Sequence, residues 1–148
     1  MHDARYIANR FIELARQDGN VLTPMQLLKL VYIAHGWMLG LYGVPLIRDR
    51  VEAWKFGPVI PKLYHAVKHC KDGPVIQTLN VVEEELVPAE ETLLQEVYEI
   101  YGDISGVGLS NLTHQAGTPW DRVYVEGISN IPISNDIVQE HYHALSEA

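Results

Sequence analysis

Apolar residues near the start of the chain recur at three- and four-residue steps, the spacing of one face of an α-helix. Ile7 and Phe11 belong to this stripe, and we predict a helix over residues 3–17. Asp3 is suited to cap its first turn, and Gly19 is a natural point for the helix to stop.

The next segment predicts a long helix at the centre of the molecule. Thr23 is placed to cap it, Pro24 suits its first position, and Gln26 completes a capping box. We predict that it runs from Pro24 to about Tyr42 and ends at Gly43. Because its residues are apolar almost all round, other helices are expected to bury it.

Leu30–Ile47 carries no charged side chain, so it resembles a membrane span at first sight. A span needs about 20 apolar residues, and Gly43 and Pro45 interrupt this run, so a buried core helix is the prediction. Gly36 and Gly40 each weaken a helix by about 1 kcal/mol relative to alanine. We therefore expect another element to approach the backbone closely at these two positions.

Shorter elements are predicted in the middle of the chain. Alternating residues indicate a strand over 51–55, and Pro61 is suited to open a helix that continues to about Cys70. Residues 75–87 contain several β-branched side chains and are predicted to supply one or two further strands.

The second half of the chain predicts three more helices and a short helical piece after the turn at 117–120. One begins at Pro88, one lies around Asn111–Gln115 with Ser110 as its cap, and the last is capped by Ser134. The inward-facing residues are predicted to be Leu93, Val97, Ile100, Tyr101 and Ile104 in the first of these helices, and Val138, Tyr142 and Leu145 in the last. The predicted fold class is α+β but mainly α. Residues 1–148 are expected to form a single helical-bundle domain around a buried central helix, with a two- or three-stranded β element.

Composition supports a folded, reduced protein. Hydrophobic residues make up 47% of the 148 and charged residues 20%, which is close to the globular average and favours a real core. Cys70 is the only cysteine, so no disulfide can form within the chain, and a cytoplasmic location is the simplest expectation.

Charge is divided unevenly between the two halves. Residues 1–75 carry a net charge of +4 and residues 76–148 carry −12, where Arg122 is the only cation. Such a split indicates either pairing between the halves, a solvated acidic surface, or an acidic face that meets a basic partner. It disfavours a general nucleic-acid binder, which needs clustered Lys and Arg.

The segment Glu52–Pro61 is apolar, aromatic and stiff, unlike an ordinary loop. Gly57, Pro58 and Pro61 are expected to set its backbone, since proline fixes φ and restricts the residue before it. Such a segment is either core structure or a surface that docks a partner. The residues expected to contact a partner are Trp54, Lys55, Phe56 and Tyr64.

Residues with catalytic or metal-binding chemistry do not form a recognisable motif. His65 and His69 lie four apart beside Cys70, but further ligands of a metal site are missing from the pattern. Ser110 and His114 could pair, yet no strand–turn–helix elbow surrounds them. We predict no metal, no cofactor and no enzymatic activity, and we interpret Thr113-His114 with Pro119-Trp120 as a structural corner or a partner contact.

Three blocks of the sequence resemble one known family. The first is Leu22–Trp37, with its Leu-Thr-Pro helix start; the second is Glu52–Tyr64, with Gly57-Pro58 inside it; the third is Leu112–His114 followed by Pro119-Trp120. Together they resemble the Panacea antitoxin domain of SocA-like and phage-associated GepA-like proteins. Two departures, Leu28 for a common glutamine and Phe56 for a common tyrosine, roughly preserve size.

The resemblance implies a mainly helical antitoxin that binds and neutralises a cognate toxin protein. An adaptor that delivers a partner to a Clp-type protease is the alternative; an enzyme or a transcription factor ranks below both. The residues proposed to bind the partner are Trp54, Lys55, Phe56, Gly57, Pro58, Val59, Pro61, Tyr64, Thr113, His114, Pro119 and Trp120.

Overall fold

The structure is a computed structural model that describes all 148 residues. It is mainly helical with one small sheet, so the predicted fold class is confirmed. Seven α-helices and three strands are present: α1 (Ala4–Gln17), α2 (Pro24–Tyr42), β1 (Val51–Trp54), β2 (Gly57–Val59), α3 (Pro61–Val67), α4 (Pro88–Tyr101), α5 (Gly106–Thr113), α6 (Pro119–Val123), β3 (Ile131–Ile133) and α7 (Asn135–Glu147). A single 3-10 turn (Lys68–Cys70) follows α3 directly.

Helix α2 begins and ends where its sequence predicts. The Thr23 hydroxyl accepts a bond from the Gln26 amide at 3.3 Å, and the Gln26 side chain accepts one from the Thr23 amide at 2.9 Å, which is a capping box. Gly43 ends the helix with φ of 71°. Helices α1, α4, α5 and α7 pack around α2, which forms the centre of the core as expected.

Gly36 and Gly40 are the positions where α7 crosses α2. A methyl group on Gly36 would overlap the buried ring of Tyr142, and one on Gly40 would lie 2.6 Å from the Tyr142 backbone carbonyl carbon. Real Cβ atoms essentially never come this close to a neighbour. The predicted close approach is therefore confirmed, and α7 is the element that makes it. No helix of this chain has both the length and the apolar character that crossing a membrane demands.

The three strands form one antiparallel sheet in the order β2-β1-β3. Trp54 pairs with Gly57 across a tight β1–β2 turn, and Val51 pairs with Ile133 on the other side. The third strand comes from near the end of the chain, where Pro132 lies on an edge strand, a position that tolerates proline.

The prediction of strands within residues 75–87 was wrong. This segment runs along α1 without strand pairing, apart from an isolated bridge between Val75 and Leu22. The Asn9 side chain bonds both the amide (2.6 Å) and the carbonyl (3.0 Å) of Leu79, and Arg16 donates to the Ile76 carbonyl at 2.9 Å. Side chains of α1 thus satisfy backbone groups that a neighbouring strand would otherwise bond.

Two predicted details of the helices also need correction. Helix α5 spans Gly106–Thr113 with Ser105 as its cap, so Ser110 lies inside the helix and caps nothing. Its first turn was not predicted because it contains two glycines, at 106 and 108, and glycine is a weak helix former. Ile100 and Leu145 were predicted to face the core, but they are 66% and 45% exposed.

The two halves of the chain pair in part. His2 lies between two carboxylates, 2.8 Å from Glu84 and 2.9 Å from Glu90, and Arg10 contacts Glu91 at 2.5 Å. Other acids of the second half form no ion pair: Glu83, Glu85, Glu96, Glu99 and Asp103 are all exposed. Intramolecular pairing and a solvated acidic surface therefore both contribute.

Candidate functional site

The segment Glu52–Pro61 divides into a displayed tip and a buried return strand. Lys55 and Phe56 form the tip of the β1–β2 turn, and the Phe56 side chain is 62% exposed. Gly57 follows with φ of 119°, a conformation that L-residues with side chains rarely adopt. The next residues, Pro58 and Val59, are buried, so they shape the turn rather than display side chains.

A buried lysine of α2 forms a hydrogen bond to the backbone that follows the turn. Lys29 of α2 is 2% exposed, and its Nζ donates to the Pro58 carbonyl at 2.8 Å. No carboxylate pairs with it, and burial lowers the pKa of the amine to about 8. A Cβ on Gly57 would lie 3.0 Å from the same Nζ, so the amine and the glycine fit together. Sequence reasoning missed Lys29, although a single charge within an apolar helix was the available signal.

Trp54 and Tyr64 form one wall beside the tip. Their ring centroids lie 5.0 Å apart in an edge-to-face arrangement, which is a favourable geometry for aromatic pairs. The Trp54 indole donates to the Glu52 carboxylate at 2.9 Å, and Arg50 approaches that carboxylate at 2.7 Å. Trp54 and Tyr64 are half-buried, so each leaves part of its ring accessible. Pro61 begins α3 and places Tyr64 one turn later.

The third sequence block packs against this wall. The predicted contact between its two parts is present, since the rings of His114 and Trp120 lie 5.2 Å apart. Trp120 also stacks on Tyr124 with ring centroids 4.5 Å apart, and its indole donates to the Trp54 carbonyl. Thr113 and Pro119 are buried beneath, while His114 and Trp120 remain partly exposed. The structure therefore brings blocks that are far apart in sequence into one surface.

A further bond fixes the tip to α5. The Ser110 hydroxyl donates to the Phe56 carbonyl at 2.5 Å, and the His114 ring bonds the Ser110 carbonyl. The hydroxyl and the imidazole therefore face different partners and do not form a nucleophile–base pair. Cys70 Sγ lies 3.5 Å from His69 Nε2, and no group of three or more His, Cys, Asp or Glu is arranged to hold a metal ion.

An open pocket of about 350 Å³ lies beside the tip. It is lined by Trp54, Lys55, Tyr124, Ile128 and Asn130, which combine aromatic and aliphatic surface with one cation. The Lys55 ammonium also sits 5.6 Å from the Phe56 ring centroid. We name the accessible side chains of Trp54, Lys55, Phe56, Tyr64, His114 and Trp120 the aromatic surface. Chemically it offers ring faces, one positive charge and a concave edge, and Trp and Tyr are side chains enriched at interface hot spots.

Comparison with known proteins identifies the family. Residues 27–121 match the family described as Antitoxin SocA-like, Panacea domain. The chain belongs to this family. It is also 30% identical over 133 residues to Antitoxin SocA of Caulobacter vibrioides (strain NA1000 / CB15N), an alignment that covers 82% of this chain and 70% of that protein. None of the solved structures matches the chain.

The matched range shows which parts of the structure the Panacea domain contains. It includes most of α2 with Lys29, the whole β1–β2 turn, and the corner that ends at Trp120. Every residue of the aromatic surface lies within it. Helix α1, strand β3 and helix α7 lie outside the match, although α7 packs on the centre of α2.

Proposed function

We propose that this chain is an antitoxin that binds a cognate toxin protein in the cytoplasm and neutralises it by binding alone. Membership of the SocA-like antitoxin family is the single observation that carries the proposal. The Ser110 hydroxyl donates to the Phe56 carbonyl while the His114 ring bonds the Ser110 carbonyl, and this arrangement supports a role without catalysis.

We assign toxin contact to the aromatic surface. Its anchors are large side chains held in fixed positions, Trp54 by Glu52 and Trp120 by the Trp54 carbonyl, so little conformational entropy is lost on binding. Lys55 and Phe56 stand at the tip, where a partner would bury them most fully. Gly57, Pro58, Val59, Pro61, Thr113 and Pro119 act indirectly in this proposal, by holding the surface in shape.

Growth of bacteria that express the protein encoded by the adjacent gene tests the proposal. That protein should arrest growth when expressed alone, and co-expression of this chain should restore growth. The double variant Lys55→Glu with Phe56→Ser should lose rescue, because it reverses the only charge of the tip and removes its ring. Val82→Ser is the matched control, since Val82 is 82% exposed and lies away from the aromatic surface.

Three results would change the proposal. A neighbouring protein that is harmless on its own would contradict the antitoxin function. Full rescue by the folded double variant would place toxin contact elsewhere on the molecule. Rescue that disappears in a host lacking Clp-type proteases, with the toxin level rising at the same time, would favour the adaptor alternative over simple sequestration.

A further inference from the structure

We infer that a second face of the molecule, formed by α2, α4 and α7 around Tyr101, binds a basic amphipathic helix of the partner protein. This inference rests on the proposed function, because it takes that helix to be part of the toxin. We name this surface the Tyr101 face.

One half of the Tyr101 face is an apolar groove between α2 and α4. Its volume is about 180 Å³, and its only charged lining residue is Glu96. The remaining lining residues are Trp37, Leu41, Leu93, Val97, Ile100 and Tyr101. Leu41 is 49% exposed and Ile100 is 66% exposed, so the groove has apolar rims as well as an apolar floor.

The other half is a cavity on the far side of Tyr101. It measures about 160 Å³ and lies between the end of α4, helix α5 and helix α7, with the exposed side chains of Leu112 and Leu145 among its walls. Tyr101 lines both hollows, and its hydroxyl accepts a bond from the Trp37 indole at 3.2 Å. The buried hydroxyl of Tyr32, which also lines the cavity, has no hydrogen-bond partner. Neighbouring hollows that share one wall are suited to receive the apolar side chains of an amphipathic helix.

The sequence places these residues on the apolar faces of their helices, and the structure leaves them without an internal partner. Ile100 continues the stripe of α4 and Leu145 continues that of α7, yet the core leaves both exposed. Contiguous exposed apolar surface on a folded protein usually marks an interaction site, whereas single scattered apolar residues do not.

Charge identifies the partner as basic. Glu96, Glu99 and Asp103 follow α4 and its end without any ion pair, and the only cation of the second half, Arg122, already lies 3.6 Å from Glu140. A second copy of this chain would bring equal charges together, which disfavours self-association. A helix with Lys or Arg flanking an apolar stripe would instead complement both the groove and its acidic rim.

A synthetic helical peptide tests this assignment with the intact protein. The probe is a peptide of about 18 residues, or about five helical turns, made of leucine on one face and lysine on the other. A peptide with glutamate in place of lysine serves as its counterpart. Calorimetry at about 0.15 M salt should show saturable one-to-one binding of the lysine peptide and none of the glutamate peptide.

The decisive variant is Ile100→Glu, because binding through apolar contact and binding through charge alone predict opposite changes in affinity. If the bound peptide buries Ile100, its loss should weaken binding of the lysine peptide by about tenfold or more. Attraction by charge alone should instead tighten it, since the variant is more acidic. Val107→Glu is the control: Val107 is 68% exposed on α5 and lines neither hollow, so its substitution adds the same charge at similar exposure without removing a lining residue. Thermal melting confirms that each variant is folded.

Three outcomes would overturn the inference. The first is the absence of binding by the unsubstituted protein, and the second is equal or tighter binding by Ile100→Glu. The third is a dimer in sedimentation that Ile100→Glu converts to monomer, because a second copy would then occupy the face. Failure of the proposed function has a separate sign, the absence of growth rescue by the unsubstituted chain, so the two failures are distinguishable.

Discussion

The contact of α7 with two glycines of α2 allows a sharp test of the packing. We consider Gly36→Ala and Gly40→Ala, each alone and each combined with Tyr142→Ala. In an open helix either alanine would stabilise by about 1 kcal/mol. Here the new methyl group meets the Tyr142 ring at Gly36, and the Tyr142 backbone at Gly40.

The two sites differ in what must move. At Gly36 the methyl group displaces a ring that is 6% exposed and packs on Tyr32 and Trp37. Removing a buried aromatic side chain costs about 3–5 kcal/mol, so after the gain in helix propensity we expect a loss of about 2–4 kcal/mol. At Gly40 the obstacle is backbone at 2.6 Å, and an ordinary contact of 3.4 Å requires α7 to shift by about 0.8 Å. The expected loss is at least as large there.

The double variants separate the two mechanisms. Tyr142→Ala removes the ring, so Gly36→Ala should become neutral or stabilising in that background. Gly40→Ala should stay destabilising, because the backbone of residue 142 remains. Urea unfolding followed by circular dichroism gives the four free energies of unfolding that each double-mutant cycle needs. Equal losses for Gly36→Ala with and without the Tyr142 ring would refute this description of the contact.

Two further predictions follow from buried polar groups. In the folded state the pKa of Lys29 is lowered from 10.5 to about 8, so only the unfolded chain holds this proton between those values. The stability of the protein relative to Lys29→Met should therefore rise by about 3 kcal/mol from pH 8 to 10.5 and stay constant below pH 8, as measured by urea unfolding across that range; a flat difference would contradict the assignment. Asn9→Ala should lower the free energy of unfolding by about 1–3 kcal/mol, because the amide and carbonyl of Leu79 lose their partner. Hydrogen exchange at the Leu79 amide, which should accelerate far more than exchange in α2, checks this cause.

Features fixed by neighbouring residues could be predicted from the sequence. Both ends of α2 depend on Thr23, Gln26 and Gly43, whose side-chain and backbone preferences act within one turn. Residues 75–87 were mispredicted because the side chain that satisfies Leu79 belongs to Asn9, which is 70 positions away. No local pattern carries that information.

The candidate site could also be predicted only in part. Motif blocks pointed to Trp54 and Trp120, but the bond from the Trp120 indole to the Trp54 carbonyl depends on how distant elements meet. Lys29 was missed because its role depends on the Pro58 carbonyl, which is 29 positions away in the sequence. Periodicity correctly placed Ile100 and Leu145 on the apolar faces of their helices. It could not show whether those faces pack into the core or remain exposed.

Growth rescue by co-expression tests whether this chain neutralises a toxin by binding it. We predict that cells expressing the protein of the adjacent gene stop growing, recover when this chain is co-expressed, and yield a complex of the two proteins on purification. Lys55→Glu with Phe56→Ser should abolish both recovery and complex, while Val82→Ser should preserve both. A toxic neighbour that this folded chain neither binds nor neutralises would contradict the claim.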